Sequence, residues 1–304
     1  MSPVAARPVP ASAAPAGVPA GAAAFLAPLQ PALLAAAFAQ PGAEVQAVQA
    51  TGSTNNDLLQ RAREAAPVAP WLRCALEQTA GRGRLGRRWF AAPGSAFLFS
   101  VALPLVQATP PVGVTLAVGL ALAERLQLQI EGLGVAPGAD ALQLKWPNDL
   151  LLSTPAGRAK LGGVLAELAV DRRGRRSLVV GVGINLWLDP AARGSIGQAA
   201  AALADLLPLA QLAPVRERWI GELSAAVIGA VRAVEAQGFM PRQADYMRRF
   251  ADLNRTVELS ERGVPVAQGR ALGVDGDGLL LVEVAGRIRS FASGEVTLRA
   301  GAGR

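Results

Sequence analysis

The pattern of apolar and polar positions predicts a mixture of helices and strands between residues 55 and 251. Helical periodicity predicts helices at 55–66, 112–128, 199–206, 214–236 and 241–251. Apolar or alternating runs predict strands at 72–78, 96–103, 142–146, 150–153, 161–168 and 178–186. Because several strands follow one another after short gaps, the pattern favours an α+β fold with hairpins over a doubly wound parallel sheet.

The chain after residue 251 has a different pattern, with short apolar runs separated by glycines. The runs lie at 256–260, 264–274, 279–284, 287–291 and 295–298. Such spacing predicts a small antiparallel barrel that resembles an SH3-like module. We therefore expect a main domain over residues 45–252 and a smaller SH3-like domain over residues 253–304.

The first part of the chain is rich in alanine and proline and carries no charge from residue 8 to residue 43. Prolines interrupt this stretch, which argues against a membrane-spanning helix, and we do not expect a secretory signal. We expect residues 1–44 to form a flexible segment. Within it, the part up to about Gly21 is a tail, and the remainder is a short segment that packs on the main domain.

Composition excludes several kinds of chemistry. The chain has no histidine and one cysteine, Cys74, so it cannot form a Ser-His-Asp triad, a histidine-ligated metal site or an intrachain disulfide. A metal here would be a hard cation held by carboxylates and phosphates. The net charge of +7 suits either nucleic-acid binding or a pocket for a polyanionic substrate. Lys145 and Lys160 are the only lysines among 30 basic residues, and both lie in motifs described below.

The densest motif is Gly-Arg-Gly-Arg-Leu-Gly-Arg-Arg-Trp at residues 81–89. It matches G-x-G-x-x-G, but Pro93 and Gly94 follow almost at once, so it does not open the helix that a dinucleotide fold requires. It also lacks the Gly-Lys-Ser/Thr ending of a P-loop. Two interpretations remain: a solvated or nucleic-acid-binding loop, or the edge of a pocket. Two like charges about 4 Å apart repel by about 4 kcal/mol at an effective dielectric of about 20, so a bound phosphate would neutralise arginines that lie this close.

A second motif is Lys-Trp-Pro-Asn-Asp at residues 145–149, between two predicted strands. Pro147 stiffens the turn, so Asn148 and Asp149 project from a fixed corner. Asparagine can pair with the edge of adenine, and aspartate can bind magnesium. The alternative is an ordinary Asn-Asp turn.

Three shorter segments add polar groups near glycines. Thr51-Gly-Ser-Thr-Asn-Asn56 precedes a predicted helix and is either a simple N-cap, through Ser53 or Thr54, or a binding site for a small polar head group. Gln78, at the end of a strand, would form a second wall of that pocket. Lys160-Leu-Gly-Gly163 and Gly181-Val-Gly-Ile-Asn185 are either parts of an anion-binding surface or positions of close strand packing.

Taken in order, the motifs S-T-N, G-R-G-R-x-G-R-x-W, K-W-P-N-D, K-L-x-G and G-x-G-x-N resemble those of biotin–protein ligases, the biotin–[acetyl-CoA-carboxylase] ligases. The resemblance runs from about Gln49 to the end and includes Gly294-Glu-Val296. It implies a catalytic domain akin to class II aminoacyl-tRNA synthetases with an SH3-like C-terminal domain. Because only about 50 residues precede the Ser53 motif, it resembles the form without an N-terminal DNA-binding domain.

The resemblance also implies a reaction. Biotin attacks the α-phosphate of MgATP to form biotinyl-adenylate, and a lysine of a biotin carboxyl carrier protein then takes the biotinyl group, with AMP released. It implies a cytoplasmic enzyme that needs Mg²⁺, binds neither DNA nor membrane and is compatible with a homodimer. Two alternatives are a lipoate–protein ligase type of acyl transfer and a non-catalytic nucleic-acid-binding protein. Octanoyl-transferases of the lipoate group would need a reactive cysteine, but Cys74 lies in an apolar strand without a base, and lipoate would need a more apolar head pocket than Ser53, Thr54 and Gln78 supply. The last domain has one aromatic residue, Phe291, which weakens the nucleic-acid-binding alternative.

Site residues follow from the resemblance, position by position. Catalytic roles fall to Lys160, Arg84 and Arg82, and Asp149 is the candidate magnesium ligand. The residues expected to bind biotin are Ser53, Thr54, Asn55, Gln78, Arg82, Gly83, Arg84, Lys160, Gly162 and Gly163. The residues expected to bind ATP are Arg84, Arg87, Trp89, Asn148, Lys160 and Asn185.

Overall fold

The computed structural model describes residues 19, 21–106, 112–138, 140–189, 193, 198–292 and 294–298. Seven strands form the main sheet: β1 (Glu44–Thr51), β2 (Trp71–Gln78), β3 (Ala96–Pro104), β4 (Leu142–Lys145), β5 (Asp149–Thr154), β6 (Gly157–Val170) and β7 (Arg176–Asn185). Their order across the sheet is β1-β2-β3-β7-β6-β5-β4. Only β1 and β2 pair in parallel, and every other neighbouring pair is antiparallel. The prediction of an α+β fold with hairpins is confirmed.

The described part of the chain contains six α-helices: α1 (Pro31–Phe38), α2 (Thr54–Glu64), α3 (Val114–Glu131), α4 (Leu209–Leu212), α5 (Arg216–Gln237) and α6 (Gln243–Arg249). Helices α1, α3 and α5 belong to the larger of two apolar clusters, which contains Phe97 and Phe99 of β3. Helix α2 packs on the other face of the sheet, where Leu58 and Leu59 meet Val179. The sheet therefore has helices on both faces, and α2 alone covers the second one among the described α-helices.

The N-terminal segment is more ordered than the sequence analysis predicts. A 3₁₀ turn at Ala22–Leu26 and helix α1 place Phe25, Leu34 and Phe38 in the main core, each at most 1% exposed. The buried guanidinium of Arg216 donates hydrogen bonds to the carbonyl groups of residues 25, 27 and 28. The expectation that the part after Gly21 packs on the main domain agrees with the structure, because its few large apolar side chains pack against α5. The description of all of residues 1–44 as flexible does not hold for residues 22–38. The tail before Gly21 lies outside the described residues, apart from residue 19.

The predicted helix over residues 199–206 is also wrong. Residues 199–201 run beside β6, with the Lys160 N–H bonded to the Ala199 carbonyl at 2.9 Å and the Ala201 N–H bonded to the Lys160 carbonyl at 2.8 Å. Only Leu203–Asp205 form a 3₁₀ turn. The alanine-rich sequence favours a helix, but hydrogen bonds to the sheet determine the conformation.

The C-terminal part is a five-stranded antiparallel sheet, and its strands lie where the sequence analysis predicts those of a small antiparallel barrel. It consists of β8 (Thr256–Glu261), β9 (Val264–Val274), β10 (Leu280–Val284), β11 (Arg287–Phe291) and β12 (Glu295–Leu298), in the order β11-β10-β9-β8-β12. It contacts the main domain just after β4, where the indole N–H of Trp146 donates to the Gly278 carbonyl at 3.1 Å. Gly294 and Val296, at β12, line the same cleft as the turn between β4 and β5.

Candidate active site

The predicted site residues come together in one cleft, on the face of the sheet that carries α2. The cleft lies between the N-terminus of α2, residues 81–89, the turn at 146–149, strands β6 and β7, and Gly294 and Val296 at β12. Its lining includes Ser53, Thr54, Asn55, Gln78, Arg82, Gly83, Arg84, Arg87, Trp89, Asn148, Asp149, Lys160, Gly163 and Asn185. Gly162 is not among the lining residues. A Cβ atom there would lie 2.6 Å from the Gly183 carbonyl oxygen, so this glycine allows β6 and β7 to pack closely.

The N-terminus of α2 forms one wall. Ser53 is the N-cap and accepts the Asn56 N–H at 3.4 Å. The side-chain oxygen of Gln78 accepts both the backbone N–H of Thr54, at 2.8 Å, and its hydroxyl, at 3.0 Å. The Thr54 hydroxyl also lies 2.8 Å from that of the buried Ser100. These bonds fix the hydroxyl and amide groups before any ligand binds.

Residues 81–89 form a small hairpin, which we call the arginine hairpin. Its backbone is closed by hydrogen bonds from the Trp89 N–H to the Gly81 carbonyl at 2.9 Å and from the Gly83 N–H to the Arg87 carbonyl at 2.8 Å. Leu85, at its tip, has a φ of 55°, in the left-handed region that non-glycine residues rarely occupy. The sequence analysis predicts that this motif does not begin an α-helix, and the structure agrees.

Arginines of the hairpin reach both walls of the cleft. Arg82 extends to the α2 side, where its guanidinium donates to Asn56 Oδ1 at 2.5 Å and to Glu167 Oε1 at 3.2 Å. Arg84 extends to the opposite side and donates to Asn148 Oδ1 at 3.3 Å. The hairpin therefore spans the cleft, with cationic groups at both ends.

Lys160 lies at the floor of the cleft beside Asp149. Its Nζ is 2.7 Å from Asp149 Oδ1 and 6.0 Å from the centre of the Trp89 ring. The register between β5 and β6 shifts here, since Leu150 pairs with Gly162 while Leu151 pairs with Lys160. A bulge of this kind changes the direction of a side chain. Both charged groups are about four-fifths buried, so the amine is presented to the cleft in a partly desolvated environment.

Two glycines of β7 make room for the groups above them. A Cβ atom at Gly183 would lie 2.7 Å from the indole ring of Trp89, and one at Gly181 would lie 2.8 Å from Asn55 Oδ1. The Trp89 ring therefore lies directly on the β7 backbone. The sequence analysis left open whether these glycines belong to a binding surface or allow close strand packing. In the structure they make room for two side chains that line the cleft, Trp89 and Asn55.

The two candidate ATP-binding asparagines already have protein partners. The amide nitrogen of Asn148 donates to the Val164 carbonyl at 2.8 Å. That of Asn185 donates to the Ala201 carbonyl at 2.9 Å and to the Lys160 carbonyl at 3.4 Å. Both side chains are thus locked in position, and they hold β5 and the segment at residues 199–201 against β6.

A metal would depend on one carboxylate of the protein. Asp149 is the only acidic residue among the described residues that line the cleft. In the described part of the chain no group of three or more acidic or cysteine side chains could hold a metal ion. Magnesium usually takes one or two carboxylates together with substrate phosphates, so Asp149 fits a magnesium ion that arrives with a nucleotide.

The sequence analysis did not identify Ser100 or Glu167. Ser100 lies in β3, and Glu167 lies in β6 and binds both Arg82 and Asn55. Ser100 is the one polar residue in the apolar run 96–104, and Glu167 is the one polar residue in the apolar run 161–170. That contrast is the signal that could have found them, because a polar group in a buried strand needs a specific partner.

Known proteins resemble this chain over most of its length. Residues 47–185 match the biotin/lipoate A/B protein ligase family, and residues 252–299 match the biotin protein ligase C-terminal domain. The chain is 32% identical to a biotin–[acetyl-CoA-carboxylase] ligase of Mycobacterium tuberculosis over 83% of this chain and 88% of that protein. It is 31% identical to the bifunctional ligase/repressor BirA of Escherichia coli over 85% of this chain and 75% of that protein.

The fold is shared with a solved structure, the biotin protein ligase from Aquifex aeolicus in complex with biotin and ATP. The TM-score is 0.64 at 22% identity, covering 85% of this chain and 99% of that one. Among the described residues, no helix has the length and apolar character needed to cross a membrane.

Proposed function

The chain belongs to the biotin protein ligase family, and on this premise we propose that it forms biotinyl-adenylate from biotin and ATP, with release of pyrophosphate, and transfers the biotinyl group to a lysine of a biotin carboxyl carrier protein. It is an enzyme, an ATP-dependent biotin–protein ligase. One observation supports the assignment of this reaction to the cleft. Five motifs far apart in the sequence meet there, and both the arginine hairpin and Lys160 line the cleft.

In the first step, a carboxylate oxygen of biotin forms a bond to the α-phosphorus of ATP, and pyrophosphate leaves. The two reactants are both anions, so the enzyme must bring them together against their repulsion. Cationic groups placed where charge builds up lower the barrier, and one such group contributes about 3–4 kcal/mol. Lys160, Arg82 and Arg84 supply these groups, and the hydrogen bonds that hold them reduce the rearrangement needed on binding.

In the second step, the ε-amine of the carrier lysine attacks the acyl carbon of biotinyl-adenylate. AMP leaves, and the amine loses a proton as the amide forms. No nucleophile of the enzyme takes part. This agrees with the absence of histidine and with the burial of Cys74, which raises the pKa of its thiol far above neutral pH.

Each wall of the cleft has a role in this proposal. The fixed polar groups of Ser53, Thr54 and Gln78 hold the ureido head of biotin. Asn55, Gly83 and Gly163 complete that end of the cleft. At the other end Trp89, Arg87, Asn148 and Asn185 surround the nucleotide.

Magnesium belongs to the nucleotide in this account. Bound to Asp149 and the phosphates, it would neutralise part of the triphosphate charge. Because Asp149 also pairs with Lys160 at 2.7 Å, the same carboxylate orients the amine at the floor of the cleft. A cytoplasmic location and a homodimer stay predictions. We also propose that this chain has no role as a DNA-binding repressor, and a sequence-specific DNA complex at physiological salt would contradict that proposal.

The experiment that tests the function is pyrophosphate exchange into ATP. The purified protein is incubated with MgATP and labelled pyrophosphate, with biotin, with lipoate or with neither. We expect exchange that depends on biotin and is absent with lipoate. Exchange supported equally by lipoate, or no biotin-dependent exchange, would overturn the proposal.

A further inference from the structure

Glu167 contacts two walls of the cleft, the N-terminus of α2 and the arginine hairpin. Its carboxylate lies on β6, where it accepts the Asn55 side-chain N–H at 2.5 Å through one oxygen and the Arg82 guanidinium at 3.2 Å through the other. We propose that Glu167 is a positioning residue, which anchors the arginine hairpin to the N-terminus of α2 and thereby controls how long the adenylate is retained. The inference rests on the proposed function.

The position and exposure of Glu167 indicate that it fixes the position of Arg82 rather than stabilises the fold as a whole. It lies among the apolar residues of β6, opposite Val179, on the face covered by α2. Its side chain is 26% exposed and that of Arg82 is 40% exposed. Ion pairs this accessible to water contribute little to folding, so the pair matters mainly for where the Arg82 side chain lies.

The carboxylate also determines which way the Asn55 amide points. A carboxylate only accepts hydrogen bonds, so the Asn55 nitrogen must face Glu167 and its oxygen must face β7. That oxygen is buried over Gly181 and has no hydrogen-bond partner in the described part of the chain. Glu167 is thus the hydrogen-bond partner of the Asn55 side chain, and Asn55 lines the cleft where the head group of biotin is expected.

The hairpin needs an anchor on this side because it spans the cleft. Arg84 is held by Asn148 on the opposite wall, whereas Arg82 is held by Glu167 and Asn56. Releasing the Arg82 end would leave the hairpin attached mainly at its base and at the Asn148 wall. The predicted consequence is faster escape of a small ligand held beneath it, with the sheet and its core unchanged.

Two substitutions of Glu167 separate its contacts. In Glu167→Gln the remaining carbonyl oxygen can still accept from Asn55, but the ion pair with Arg82 is lost. In Glu167→Leu both contacts are lost. The control is Glu283→Gln, which removes an ion pair of similar exposure with Arg270, in the C-terminal sheet and outside the cleft.

The assay loads each variant with biotin and MgATP, removes free ligand and follows dissociation of biotinyl-adenylate. For Glu167→Gln we expect release about three- to fivefold faster than in the wild type, the effect of losing one partly exposed ion pair. We also expect KM for biotin to rise in parallel and kcat to fall by no more than about fivefold, because Arg82 keeps its hydrogen bond to Asn56. Glu167→Leu should raise KM for biotin further, and Glu283→Gln should match the wild type.

Equal rates of biotinyl-adenylate release from Glu167→Gln and from the wild type would overturn the inference, provided that thermal unfolding shows both proteins to be folded. So would a fall in kcat without a change in release or in KM. An Arg82→Ala background provides a second test, because Glu167→Gln should then have little further effect on release. Wild-type protein that forms no adenylate would instead refute the proposed function, so the two failures are distinguishable.

Discussion

Replacing Gly183 by alanine tests how tightly the Trp89 ring is seated on the sheet. The new Cβ would lie 2.7 Å from two atoms of the indole ring, whereas ordinary contact begins near 3.4 Å. Strand β7 is paired on both sides, with β3 and with β6, so its backbone cannot move away. The ring, carried by the arginine hairpin, must therefore move by about 0.7 Å or more.

The size of the effect follows from the overlap. Forcing an extra methyl group into a packed contact costs about 1–3 kcal/mol. Because the hairpin lies at the surface, we expect the added methyl group to displace the Trp89 ring rather than to unfold the protein. If Trp89 contacts the nucleotide, KM for ATP should rise by about five- to a hundredfold, with a smaller change in KM for biotin.

The assay is biotin-dependent exchange of pyrophosphate into ATP, with each substrate varied in turn. The control is Gly52→Ala, where a Cβ atom would meet nothing within 4 Å. Thermal unfolding of both variants checks that the fold is intact. A KM for ATP within twofold of the wild type for Gly183→Ala would refute the seating of Trp89 as a requirement for nucleotide binding.

Three further predictions concern single residues. Lys160→Ala should lower the biotin-dependent exchange rate by about a hundred- to a thousandfold without unfolding the protein, and exchange near the wild-type rate would show that the amine has been misassigned. Arg84→Gly should loosen the hairpin from Asn148, so that adenylate escapes and labels unrelated proteins, and no rise in biotin on an added bystander protein would count against this. Asp171 should contribute pH-dependent stability: burial raises the pKa of its carboxyl, but hydrogen bonds from the Ala66, Arg173 and Arg175 N–H groups and the Arg175 side chain lower it more, to about 2. Because this pKa is lowered in the fold, the ionised carboxylate stabilises the folded state above the unfolded pKa of 3.8, and the stabilisation is lost as the pH falls towards 2. The difference in unfolding free energy between the wild type and Asp171→Asn should therefore be largest at neutral pH and decrease below about pH 4.

The sequence could predict those parts of the site whose chemistry is carried by local motifs. The hairpin at residues 81–89, the Asn-Asp turn and the N-cap at Ser53 are each specified by residues adjacent in the chain. Strands β3 and β7 are long apolar runs, so their existence follows from hydrophobicity alone. These elements bring most of the predicted residues to one cleft.

Features that depend on distant contacts could not be predicted in this way. Strand β1 was missed because it lies at the edge of the sheet and none of its residues is fully buried, which weakens its alternation. The alanines of residues 199–206 favour a helix, whereas the backbone of Lys160 holds residues 199–201 beside β6 and only Leu203–Asp205 form a 3₁₀ turn. The partners of Glu167 come from α2 and the hairpin, more than eighty residues away, so its role appears only in three dimensions.

The most direct test of the account is a crystal structure of the protein after incubation with biotin and MgATP. We predict biotinyl-adenylate in the cleft, its phosphate between the arginine hairpin and the Lys160 amine and its ureido group against Ser53 and Thr54. A ligand bound elsewhere, or a cleft without ligand and with Arg82 and Arg84 pointing into solvent, would contradict the account.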